Sequence, residues 1–458
     1  MDHFDIAIIG AGSGNMIVNR RFADKAVAII EENRFGGTCL NVGCIPTKMF
    51  AYTADVAASI DSASRFGIDA EVHGVDWQAI VKRVFSRIDG NVAAAEQFRQ
   101  DNPNVTVFKE HASFTGSSTV ELSSGARISA DQFVIATGAR ATVPEGLPRP
   151  SDSPNDRRPI YTSDTIMRAE TFPQRLVILG GGFIAAEFAH IFSSLGSAVT
   201  VISRGERLLR HHDAAVSGLF TDVARSRWDV RLSTTAESVE SSADGVSVVL
   251  DDGSHVQGDA LLLALGRRPN SDNLGLENAG VSVHLDGRVV VDDCQQTTAS
   301  GIWALGDVCA PIQLKHLANH EAHVVAHNLL NPESPRAANH RFIPSGVFTY
   351  PQIASVGLTS EQAEDAGIDV AESTHEYKDT AFGWATEDAP GFCKVLADRS
   401  TGQLIGAHIV GAHATTAIQP LIQGMVFGTT PKRLARDQFW IHPALAEVVE
   451  NALIGLRI

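Results

Sequence analysis

Two stretches of this chain repeat one local plan: an apolar strand, a glycine-rich turn, a helical pattern and a second apolar strand. The first occupies residues 4–32, with FDIAIIG, the turn AGSGN, the pattern IVNRRFADK and the strand AVAIIEE. The second starts about 170 positions later, with RLVILG at 175–180, GGFIAAEFAHIFSSLG to 196 and AVTVIS at 198–203. Strands that are apolar on both faces and joined by a helical crossover pair in parallel. The plan therefore predicts an α/β fold. Its duplication predicts two Rossmann-like dinucleotide-binding units within one chain.

Each turn has its own chemistry. Gly10 and Gly12, followed by Ser13 and Gly14, permit a tight bend and a close approach of pyrophosphate to the backbone. A helix starting there offers free N–H groups and its positive dipole end. Asn15 stands where the pattern usually has a third Gly or Ala. Glu31, 21 residues after Gly10 and at the end of the second strand, can accept hydrogen bonds from ribose hydroxyls. The second turn, Gly180-Gly181-Gly182-Phe183-Ile184-Ala185, has Ala in the third place. Its second strand ends in Ser203-Arg204-Gly205, with Arg207 and Arg210 beyond and no acid at the strand end. An arginine there can pair with a 2′-phosphate, which favours NADPH over NADH. The cluster stands out because the whole chain has 37 Lys+Arg against 53 Asp+Glu, a net charge of −16. Such a negative field repels phosphate backbones and anionic lipid, and argues against nucleic acid or membrane partners.

GGTCLNVGCIPTK follows the first unit at 36–48. Structural zinc usually takes two cysteine pairs, and Cys294, Cys309 and Cys393 are isolated, so Cys39 and Cys44 are not expected to hold a metal. Two inert buried thiols are one reading of the pair. A redox-active disulfide is the other, favoured by the neighbouring glycines and by a following helix whose N-terminus would lower one thiol's pKa. Five Cys are too few for a disulfide-stapled secreted scaffold. The start Met1-Asp2-His3-Phe4-Asp5 is acidic where a secretory signal would be basic, and no stretch approaches the ~20 apolar residues of a membrane span. The expected compartment is the cytoplasm.

With these motifs in order, the sequence resembles the pyridine-nucleotide–disulfide oxidoreductases, the group containing glutathione reductase and lipoamide dehydrogenase, from residue 4 to the end. IATG at 135–138, GGGFIAAE at 180–187, ALGD at 304–307 and HPALAE at 442–447 match further family motifs. The resemblance implies a homodimeric enzyme that passes electrons from NADPH through FAD to a Cys39–Cys44 disulfide, and from there to a low-molecular-weight disulfide. It carries FAD contacts to Gly10, Gly12, Ser13, Gly14, Glu31, Gly37, Thr38, Lys48, Ala112, Ala136, Thr137, Gly138, Asp307, Leu314, Lys315 and His316. NADPH contacts fall on Gly180, Gly182, Phe183, Ile184, Glu187, Arg204, Arg210 and Gly266.

The same resemblance makes Cys44 the thiol against the flavin and Cys39 the one that attacks substrate. His442, oriented by Glu447, becomes the acid/base and serves the partner's disulfide. Lys48 and Glu187 match positions that pair near the reactive edge of the flavin. Lys315 departs from the pattern, since the family usually has an apolar residue or Thr near it. Ser203-Arg204 replaces the acid usual in lipoamide dehydrogenase, and the C-terminus lacks the extra cysteine pair of mercuric reductase and the large thioredoxin reductases. Glutathione reductase-type or lipoamide dehydrogenase activity stays open, as does a flavin-binding regulatory role without turnover.

Five prolines between 144 and 159 mark the expected linker. The implied domains are an FAD-binding domain split over 1–150 and 271–340, an NADPH-binding domain at 151–270 and an α/β dimerisation domain at 341–458.

Overall fold

The computed structural model describes residues 1–150, 158–387 and 390–458. The linker expected at 144–159 therefore falls partly outside the described residues, at 151–157.

Three main sheets organise the chain. In the first, Asp2–Ile9 lies between Val27–Ile30 and Arg127–Ile135, and Val105–Phe108 pairs beyond Val27–Ile30, all in parallel. The outer side of Arg127–Ile135 is shared. Its first half pairs antiparallel with Thr119–Leu122, and its second half pairs in parallel with Ile302–Ala304. The chain thus returns to its first sheet after building a second. That second sheet is parallel throughout, in the order Asp229–Arg231, Ala198–Ile202, Arg175–Leu179, Ala260–Leu263, Ile160–Thr162. Val27–Ile30 and Ala260–Leu263 are buried at every position, as strands covered by helices on both faces must be. The third sheet is antiparallel and runs Ser345–Val347, Gln352–Gly357, Gln403–Gly411, Phe392–Asp398, Val370–Glu376.

The repeat seen in the sequence extends to atomic detail. Gly10 has φ +106° and Gly180 has φ +133°, conformations that strongly disfavour side chains. A Cβ at Gly10 would sit 2.3 Å from the Ala136 carbonyl oxygen, and one at Gly180 would sit 2.2 Å from that of Ala264. In both sheets, the turn after the central strand presses against the end of the neighbouring parallel strand.

Beyond the turn the two units differ. The second continues into a helix, Phe183–Ser194. The helix expected through IVNRRFADK is absent: two 3₁₀ turns, Gly14–Met16 and Arg20–Phe22, stand in its place. Asn19 breaks the segment with extended backbone, φ −137° and ψ −177°, and its Oδ1 accepts from the Arg21 N–H while its Nδ2 donates to the Ile17 carbonyl. Asparagine competes in this way for the groups a helix would use. The carbonyls left over are taken by Arg99, from the helix Trp77–Gln100. Its guanidinium donates to Asn15 Oδ1 and Asn15 O, both at 2.6 Å, and to Val18 O at 3.0 Å. Arg99 is 7% exposed. No described helix is long and apolar enough to cross a membrane.

Arg99→Met removes the donors to two backbone carbonyls. The expected cost is about 2 kcal/mol, read as a lower thermal unfolding midpoint of the full chain. Arg99→Lys should recover part of it. An unchanged midpoint in the Met variant would show that the 3₁₀ segment does not need this clamp.

Candidate active site

A cavity of about 1510 Å³ opens along the C-terminal ends of the first sheet's strands, where Gly10, Glu31 and Ala136 directly follow three of them. Ligands of open α/β sheets bind at this end. The cavity is also lined from the second unit by Phe183, Ile184 and Glu187, and from the third sheet by Val347.

The cysteine motif forms one wall. Gly37–Asn41 is a short helix, and the longer helix Cys44–Asp61 begins at the second cysteine itself. Buried Asn41 holds the first of these in place, its Nδ2 donating to Phe35 O at 2.8 Å and Gly37 O at 3.0 Å. Cys39 and Cys44 are both free thiols facing one another, and Cys44 is exposed to the cavity. Their environments push them apart. The Cys39 thiol donates to Cys44, and with the nearby Lys48 cation this brings the Cys44 thiol down to about 7 against the opposing effect of burial. Cys39 is pushed well up, because it is the donor to the Cys44 thiolate and is itself desolvated. A thiolate at the first residue of a helix also meets unpaired N–H groups and the positive dipole end.

Lys48 sits one turn further along the same helix. Its Nζ contacts both Glu187 oxygens, at 2.7 and 2.8 Å, and lies 4.6 Å from the centroid of the Phe348 ring. Glu187 is 3% exposed and also accepts the Phe348 backbone N–H at 3.0 Å.

Opposite, Gly306–Val308 forms a 3₁₀ turn that brings Asp307 to the cavity. The Gly306 N–H donates to the buried Glu321 carboxylate at 2.7 Å, and burial pushes Glu321 up to about 7. Burial also raises Asp307. Among the described residues no side chain or backbone N–H donates to the Asp307 carboxylate, so its acceptors face the cavity free. This suits a polyhydroxyl chain, and the two glycine-bearing turns that meet where Gly12 approaches Gly37 leave backbone room for phosphates.

Of the residues carried over for FAD, all line this cavity except Gly14, which is buried against Ile8 and Ala136 beneath the turn. Glu31 faces the cavity while accepting the N–H of Ala11 at 2.8 Å and of Asn33 at 2.9 Å. Of those carried over for NADPH, Phe183, Ile184 and Glu187 line it, whereas Gly180, Gly182 and Gly266 do not. Arg204 and Arg210 line a second cavity of about 610 Å³, together with Arg207, Glu206 and Glu361. His442 and Glu447 lie outside both cavities of their own chain. They are hydrogen-bonded, Nδ1 to Oε1 at 2.6 Å, and the His442 side chain is 72% exposed.

Sequence reasoning missed Arg267, Asn41 and Phe348. Arg267 lines the cavity with Nη1 on Asp164 at 3.0 Å and Nη2 on Ala139 O at 2.6 Å. Its signal is the ALGRRPN stretch, in which Gly266 alone matches a family position.

The family model for pyridine nucleotide-disulphide oxidoreductases matches residues 4–325, and the model for the family's dimerisation domain matches 343–453. The chain belongs to this family. A mycothione reductase of Mycobacterium tuberculosis is 49% identical over the full length of both chains. A glutathione reductase of Burkholderia cepacia is 34% identical over 97% of each. Among solved structures, the HOCl-induced flavoprotein disulfide reductase RclA from Escherichia coli, as its Cu(II) complex, superposes with a TM-score of 0.87 at 27% identity over 99% of each chain. Pyridine nucleotide-disulphide oxidoreductases work with FAD and a pyridine nucleotide, and the cavity's donor set fits the first of these.

In the reduced protein, alkylation of Cys44 should rise through pH about 7, below the ordinary thiol range. Above that midpoint the sulfur is thiolate and reactive; below it the sulfur is protonated. Lys48→Met should move the midpoint up by about one pH unit. A midpoint that stays put in the variant would remove Lys48 from the account.

Proposed function

We propose that this protein is an NADPH-dependent flavoprotein disulfide reductase whose substrate is mycothione, the disulfide of a cysteine–glucosamine–inositol thiol, and that it works in the cytoplasm. The observation that carries the reaction class is the Cys39–Cys44 pair, two facing thiols with Cys44 at the first residue of a helix and Lys48 one turn on, in the wall of a nucleotide-sized cavity. The full-length likeness to a mycothione reductase supports the substrate.

The chemistry supplied by bound FAD and NADPH is a two-electron transfer to the sulfur pair. Everything else falls to the chain. Lys48, anchored by Glu187, and the start of the helix Cys44–Asp61 hold negative charge on Cys44. Cys39 is the outward nucleophile, and its raised pKa means that it needs a base. The partner subunit's His442, oriented by Glu447, takes that proton. Cys39 sulfur attacks the substrate disulfide, forms a mixed disulfide and releases the first thiol, which is protonated by the same imidazole. The Cys44 thiolate then attacks Cys39 sulfur, re-forms the intramolecular disulfide and expels the second thiol. One of the two product protons comes from Cys39 and one from solvent through His442. Exposed Phe439 and Ile441, just before this histidine in the chain, offer apolar surface to the second subunit.

Arg204 and Arg210 line the second cavity, and in this reading they receive the 2′-phosphate of NADPH. Replacing both with Ala should raise the KM for NADPH about ten- to a hundredfold and leave that for NADH nearly unchanged. Equal effects on both would exclude the phosphate contact. Cys39→Ser should abolish disulfide reduction while the flavin is still reduced by NADPH, and His442→Ala should slow disulfide turnover about 10²–10⁴-fold. NADPH consumption measured in parallel with mycothione, oxidised glutathione and lipoamide tests the substrate, and faster turnover with either of the latter two would replace it.

A further inference from the structure

Lys315 is a cation in an unfavourable place. It is the first residue of the helix Lys315–Leu330, where the dipole disfavours positive charge. It is half-buried in the cavity wall, and among the described residues no carboxylate lies within ion-pair distance of it. Four other cations that line the same cavity are paired, Arg34 with Asp89, Lys48 with Glu187, Arg140 with Asp272 and Arg267 with Asp164, while Arg149 at the cavity wall, like Lys315, has no carboxylate partner among the described residues. Lys315 Nζ instead donates to Ser13 Oγ at 2.8 Å, and Ser13 Oγ lies 3.5 Å from Asn319 Oδ1 on the same helix. The side chain therefore reaches across the cavity to the glycine-rich turn of the first unit.

That turn lacks the device such turns ordinarily use. Pyrophosphate is usually met by the N-terminus of the following helix, whose aligned peptides concentrate positive charge. Here only three residues of 3₁₀ helix, Gly14–Met16, come before the backbone turns away at Asn19. Too few peptides are aligned to build a macrodipole. Arg99 does not replace it, because its donors are spent on Asn15 and Val18 beneath the turn and it does not line the cavity.

We propose that Lys315 supplies the positive charge that the truncated helix cannot, binding the pyrophosphate of FAD together with Ser13 at the Gly10–Gly14 turn. The inference rests on the reading of this cavity as the FAD site and adds to it a mode of phosphate recognition: a lysine delivered from a helix about 300 residues away along the chain. Unlike a helix dipole, a single ammonium is lost by one substitution.

The test uses the full-length holoenzyme. FAD released on dilution is followed by the recovery of free flavin fluorescence, giving a dissociation constant at several salt concentrations. Lys315→Met should weaken FAD about ten- to a hundredfold, the value of one charge-assisted contact, and should flatten the salt dependence. Lys315→Arg should restore most of the affinity, and matching far-UV circular dichroism would show that all three proteins are folded. A Lys315→Met variant that holds FAD within twofold of the parent overturns the proposal. If, in addition, the pH midpoint of Cys44 alkylation rises in that variant, the lysine serves the thiols. A parent protein that purifies colourless and takes up no FAD would overturn the flavoprotein reading itself, and the proposal with it.

Discussion

The Lys48–Glu187 ion pair is the joint on which the site is assembled. Lys48 belongs to the helix that starts at Cys44, Glu187 to the helix after the second glycine turn, and the backbone N–H that completes the carboxylate to Phe348, beside the third sheet. Three separately organised parts of the chain meet at one carboxylate that is 3% exposed. Burying such a charge is costly, and pairing it returns little net stability. What the arrangement secures is position. A lysine with four rotatable bonds would otherwise wander, and an ammonium held by both carboxylate oxygens keeps its charge near Cys44 while the second unit stays docked against the thiol helix.

This joint also explains why the two sulfurs differ. They are five residues apart in one motif, yet Cys44 begins a long helix within reach of Lys48 whereas Cys39 lies inside a short one. The field favours charge on one sulfur, and the hydrogen bond from the other then raises the donor's own pKa. A pair sharing one proton in this asymmetric way gives its two sulfurs different character without further machinery: one favours charge inside the cavity, and the other keeps its proton.

Much of this was legible in the sequence because glycines at close approaches and apolar strand runs are local signals. Gly10 and Gly180 announce the two turns since almost nothing else fits 2.2–2.3 Å from a carbonyl oxygen. The cysteine motif, Lys48 and Asp307 were readable as motif positions. What could not be read was set by long-range competition. IVNRRFADK has an acceptable helical pattern, but Asn19 offers its own side-chain partners and Arg99, about 80 positions later, captures the carbonyls of Asn15 and Val18. No window of local sequence contains that outcome. Arg267 was overlooked for a similar reason, because its partners Asp164 and Ala139 come from two distant segments.

The loss of that first helix has a consequence for how charge is distributed. A chain of net charge −16 that binds two anionic nucleotides must concentrate its cations, and it does so by two different routes. At the second unit the helix Phe183–Ser194 is intact, and the arginines Arg204, Arg207 and Arg210 lie on the loop beyond the next strand, close in sequence to the turn they would assist. At the first unit the helix is truncated, and the cation arrives from Lys315, which is remote in sequence and delivered only once Ile302–Ala304 has rejoined the first sheet and aimed the next helix at the turn. Closing the split first sheet is therefore what completes the charge of the first nucleotide turn. A chain that had folded only its N-terminal portion would have the glycines and the strands, but not the ammonium that reaches Ser13.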